Sequence, residues 1–158
     1  MRPNKPYQIT ALFYSFWRLL IFKLIPFIIF SLCLAGCVIK PVSTDKAKPV
    51  PPDRILENQY FSPDEKKVQV VIKRDQGHVG SACKTKVLVD GVSVATLKMS
   101  EKMVIYLTAE KHILSSIPQG VCGGGIAELD IDLSAKRNAT FRIGFDANAT
   151  HRIQPTVF

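Results

Sequence analysis

The chain predicts an all-β fold: a small antiparallel β-sandwich of seven or eight strands, placed behind a leader and a flexible tether. Three observations carry this expectation. From Lys67 onward apolar and polar residues alternate with period two, as in strands that bury one face. Asp90-Gly91 stands between two such runs, where it marks a type I′ hairpin because both turn residues need positive φ. Past the leader, no segment offers about ten residues of helical spacing with caps.

Taken in order, the first strand is expected over 68–73 and the second over 83–89, with Cys83, Thr85, Val87 and Val89 on one face. The Asp90-Gly91 turn leads into a third at 92–97. Residues 103–107 are apolar on both faces and predict an interior strand, and 111–115 predict another. Over 126–133 the alternation is unbroken, with Leu129, Ile131 and Leu133 inward and Glu128, Asp130 and Asp132 outward. Strands at 140–145 and 150–153 follow, and 156–158 are available to prolong the last.

The leader is read from charge and hydropathy. Residues 1–36 hold Arg2, Lys5, Arg18 and Lys23 and no acidic residue, and an apolar run over 24–34 ends in Leu34-Ala35-Gly36-Cys37. A basic region, a short apolar core and small residues before a cut form a secretory signal. Residues 24–39 are a poor membrane span, with Pro26 among 16 residues where roughly 20 are needed. The tetrapeptide resembles the lipobox of bacterial lipoprotein precursors. The resemblance implies diacylglycerol on the Cys37 thiol, cleavage before it, and acylation of the new terminus. Several acyl chains hold a protein firmly, at about 0.8 kcal/mol per buried methylene. Val38 stands where Asp would imply inner-membrane retention, so the same resemblance favours the outer membrane's periplasmic leaflet.

Behind the leader remain 122 of the 158 residues, enough for one small domain. Four of the 21 basic residues leave with the leader, so 17 face 13 acidic ones and the net charge falls from +8 to +4. The excess is scattered and no recognition motif accompanies it, so nucleic acid is not an expected partner. Residues 38–66 carry five of the ten prolines and are expected to form an extended tether on the order of 30 Å long. Ile55, Leu56, Tyr60 and Phe61 are the exception, expected to dock on the domain as a short edge element.

The stretch from Val87 through Asp90-Gly91 to Leu97, followed by Val104-Ile105-Tyr106-Leu107 and His112-Ile113-Leu114, resembles a PEGA-type module. Such modules are small transthyretin-like sandwiches on bacterial envelope proteins, with a V-x-V-D-G hairpin and a later turn that ends in His. The likeness covers roughly 67–145. The chain departs from it at Thr108-Ala109-Glu110-Lys111, where the usual Pro-Gly is missing, and in carrying two cysteines and a triglycine. The segments around Cys83 and Cys122 look like those of uncharacterised proteobacterial lipoproteins, which imply no activity.

With Cys33 in the leader and Cys37 lipidated, Cys83 and Cys122 are the pair left for a disulfide in an oxidising compartment. Closing that loop is worth about 4 kcal/mol by chain entropy. A metal or thiol-catalytic role lacks ligands at suitable spacing. Ser81-Ala82-Cys83-Lys84 matches S-x-x-K, but that chemistry needs a helical turn, and these residues enter a strand. Gly123-Gly124-Gly125 precedes a strand, not the helix a phosphate cradle requires. Glu128, Asp130 and Asp132 read as a solvated row, set opposite Arg142 in a neighbouring strand. His78, His112 and His151 are dispersed, and Asn138 and Asn148 read as turn residues before strands.

The sequence thus divides into a lipoprotein signal peptide (1–36), a lipidated Cys37 with a Pro-rich tether (37–66) and a sandwich (67–158). The expected role is non-catalytic, structural or accessory to an envelope assembly. The protein is expected to face the periplasm, with the bilayer as partner through acylated Cys37 and an envelope protein or glycan as a further one. No catalytic residue, metal or cofactor is expected. The alternative is a ligand- or glycan-binding lipoprotein that uses the glycine loop.

Overall fold

The computed structural model describes residues 40–77, 80–122, 124–146, 148 and 150–158. They form an all-β sandwich of nine strands: β1 (Lys48–Pro49), β2 (Val68–Arg74), β3 (Lys84–Val89), β4 (Val92–Leu97), β5 (Glu101–Leu107), β6 (Lys111–Gln119), β7 (Ala127–Asp132), β8 (Asn138–Phe145) and β9 (His151–Pro155). One sheet has the order β1-β5-β2-β8-β9 and the other β4-β3-β6-β7. Pairing is antiparallel except β1 with β5 and β2 with β8. The core lies between the sheets. Val70 and Ile72 from β2, Met103 and Ile105 from β5 and Ile143 from β8 meet Val87, Val89, Leu97 and Leu114 of the opposite sheet. Each such side chain contributes about 1.5–3 kcal/mol when taken out of water.

The hairpin forms as the sequence requires. Asp90 and Gly91 have φ of 50° and 81°, and Val89 pairs with Val92. The strand expected at 111–115 runs on to Gln119, through Pro118. Proline is tolerated there because β7 reaches only to the level of Ser116, so past that point one side of β6 has no partner strand. Residues 156–158 do not continue β9 as strand, although Thr156 N–H still donates to the Thr140 carbonyl.

The segment expected to be a free tether is instead packed on the sandwich from Lys40 onward. Lys40 exchanges both backbone hydrogen bonds with Gln76, and Val42 and Ala47 are buried over the outer face of the five-stranded sheet. Lys48 and Val50 then donate to the Ser100 and Lys102 carbonyls of β5, so the intervening Pro49 needs no donor. Ile55 bridges to Ala95, and Leu56 and Glu57 donate to Val94 on β4. Between these contacts Arg54 clamps the seam, bonding both oxygens of Glu101 at 2.6 Å and the Thr96 carbonyl at 3.0 Å. One strap thus covers the edges of both sheets on one side of the sandwich, edges that would otherwise invite pairing with another chain. Docking of 55–61 matches expectation for Ile55, Tyr60 and Phe61, which pack on the core, whereas the Leu56 side chain is exposed.

Candidate functional site

Beyond the strap, the outer face of β8 and β9 stays open. Period two puts Thr140, Arg142 and Gly144 of β8 there, beside Gln154 and Arg152 of β9. Two hollows meet at Arg142 and Gln154. One, of about 240 Å³, holds Asp75, Asp146 and Arg152. The other, shallower and about 950 Å³, runs past Asn138 and Thr140 to Lys136.

Asp75 reaches this face from the end of β2. A Cβ on Gly144 would stand 3.0 Å from its Oδ2, so glycine leaves the room the carboxylate takes. Asp75 Oδ2 lies 3.5 Å from Arg142, and its Oδ1 accepts from Val42 N–H at 3.4 Å. Burial holds this carboxyl above the usual range, against the opposing pull of Arg142, the Val42 N–H and Lys73. Gln154, with its amide oxygen toward β8, accepts from Arg142 Nε. Asp146 is held low by the Thr150 N–H, with further help from the Asn148 N–H and from Arg152 at 2.9 Å. The face therefore presents guanidinium donors and carboxylate and amide acceptors side by side, with charges largely balanced. Such a surface suits a neutral polyhydroxyl or a peptide backbone better than a compact anion.

Of the residues singled out in the sequence, Arg142 lies in the groove and so does Asn138, which opens β8 instead of preceding it; the others lie elsewhere. Leu34, Ala35, Gly36, Cys37, His78 and Gly123 are outside the described residues. Cys83 and Cys122 stand as a disulfide-compatible pair, Cα atoms 5.9 Å apart, Cys83 buried and Cys122 half-buried. Glu128, Asp130 and Asp132 are exposed as expected, but Arg142 does not oppose them. Their partners on β6 are Ser115, Ile113 and Lys111, while Arg142 belongs to the other sheet and turns to Asp75.

His112 is not isolated, as its Nδ1 lies 2.7 Å from Asp90 Oδ2 and ties the hairpin to the start of β6. Burial raises the Asp90 carboxyl, yet the His112 and Ile113 hydrogen bonds outweigh it and leave the group below its usual range. His151 is buried on the inward face of β9, beneath Phe145, and so does not reach the open groove. Among the described residues no set of three His, Cys, Asp or Glu side chains converges as metal ligands would. The groove went unread because the parallel pairing of β2 with β8 has no local signature. Lys73-Arg74-Asp75 ending a strand was its one hint.

Compared with known proteins, the chain matches no family model, no curated protein and no solved structure. The likenesses to lipoprotein precursors and PEGA-type modules therefore rest on the residues quoted for them.

Proposed function

We propose that the chain is a membrane-anchored lipoprotein facing the periplasm, outer membrane favoured, with a non-catalytic structural or accessory role in an envelope assembly. The observation that carries this reading is Leu34-Ala35-Gly36-Cys37 behind an apolar run. The disulfide-compatible pair and a compact unit over residues 37–158 are consistent with an exported domain. The second reading, a ligand- or glycan-binding lipoprotein, is favoured by the groove around Arg142, in place of the glycine loop.

Photo-crosslinking in intact cells separates the two. Probes at Gln154 in the groove and at Ile113 on the opposite sheet should yield a discrete protein adduct from one face if the role is assembly. Adducts to glycan from Gln154 alone favour the second reading. Absence of any discrete adduct from either face contradicts the assembly role.

A further inference from the structure

Strand directions collect several connections at one end of the sandwich. The β2–β8 pairing is parallel, so the chain leaves both strands at the same end, by Gln76 and by Asp146. The antiparallel registers bring the β4–β5 turn at 98–100, the start of β3 and the β6–β7 connection to that end as well. Arg74 gathers them from inside: its guanidinium donates to the carbonyls of Gly80, Cys83 and Leu97.

Three large apolar side chains stand in solvent on these connections: Met99 (40% exposed), Ile126 (52%) and Val121 (90%). Lys40, Lys84 and Lys98 are exposed at the same end and make no ion pair among the described residues. Of the carboxylates there, Asp75, Glu101 and Asp146 are each met by an arginine, and exposed Asp45 on the strap lies near Lys46 and Lys73. Leu56, Val92 and Ile113 form a second exposed apolar set toward the other end, where the charges are mixed: Glu57, Asp90, Glu110 and Asp132 stand among Lys66, Lys111, Lys136 and Arg137.

The strap settles which end meets lipid. Lys40 is tied to Gln76, so only Val38 and Ile39 separate Cys37 from the first fixed point. Three residues span at most about 11 Å. We infer that this end of the sandwich is a lipid-contacting surface, with Val121, Ile126 and Met99 entering the headgroup region and Lys40, Lys84 and Lys98 meeting anionic headgroups. The inference rests on the lipid-anchor reading above. It replaces a domain swinging on a long tether by one seated end-on, with the Arg142 groove along its flank. Apolar side chains near the interface add burial, and each lysine adds electrostatic attraction to anionic lipid.

The test uses protein expressed from the full sequence with Trp17→Phe and either Val121→Trp or Val92→Trp, so that neither the precursor nor the processed form, which has lost residues 1–36, holds a native tryptophan. Each is reconstituted in vesicles of phosphatidylethanolamine and phosphatidylglycerol with brominated acyl chains, and flotation is recorded on the same sample. The expected result is flotation of both variants, with loss and blue shift of fluorescence for the tryptophan at 121 and neither change for that at 92. Ile126→Trp repeats the measurement if Val121→Trp folds poorly. Flotation with the tryptophan at 121 unquenched, or with that at 92 quenched as much, overturns the inference and leaves the anchor standing. Failure to float removes the anchor reading, and this inference with it.

Discussion

Buried His151 sets the clearest pH dependence at the scale of single residues. Burial, helped by the Arg74 charge, pulls its pKa from 6.5 to about 4, and among the described residues neither ring nitrogen has a hydrogen-bond partner. The unfolded chain thus takes up this proton before the folded one does. Stability from His151 is complete above pH 6.5 and is lost as pH falls toward 4, by up to about 3 kcal/mol. Asp75 works in the opposite sense, since its raised pKa means that protonation relieves a buried charge. His151→Phe should flatten the decline in melting temperature between pH 7 and 4, and an unchanged decline would remove His151 as its cause. Ser116 offers a second test. Its hydroxyl is buried without a partner among the described residues, so Ser116→Ala should be neutral or stabilise by about 1 kcal/mol in urea denaturation. Gly80 should tolerate no side chain, because φ is +72° and a Cβ would run into the Phe145 ring. Its need is invisible in sequence, since Phe145 lies 65 positions away.

Among the elements, β2 to β9 were legible because most alternate and β5 is a short run apolar on both faces, and the hairpin because Asp-Gly admits few other conformations. Gly91→Val, at φ +81°, should therefore cost about 1–2 kcal/mol by the same denaturation, and indifference to it would count against the turn. The strap was illegible for a physical reason. A Pro-rich segment lacks the apolar content to fold alone, but edge pairing asks only for backbone donors at alternate positions, and Lys48 and Val50 supply them around Pro49. Arg54 holds that strap to the seam. Burial raises the Glu101 carboxyl, but the hydrogen bonds and charge of Arg54 prevail and hold it below the usual range. Arg54→Ala should destabilise by about 2 kcal/mol and speed proteolysis within residues 40–57 before the sandwich is cut. Proteolysis that begins in β2 to β9 would contradict a separately peeling strap.

For the whole molecule, the fold class was readable and the open groove was not, because its residues are brought together only by the β2–β8 and β8–β9 registers. The cysteine pairing came from elimination, and the structure places Cys83 and Cys122 where a bond can form. In exported protein, denaturing alkylation without reductant should find neither thiol free, and reduction should lower the melting temperature; full labelling of both would exclude the bond. The central claim is the lipid anchor, on which compartment, orientation and role all depend. Intact-mass analysis of protein extracted from the membrane fraction tests it most directly. The expected species begins at Cys37 and carries the added mass of acyl chains, and Cys37→Ala accumulates unprocessed and without lipid. A wild-type species that retains residues 1–36 and bears no lipid would contradict the account.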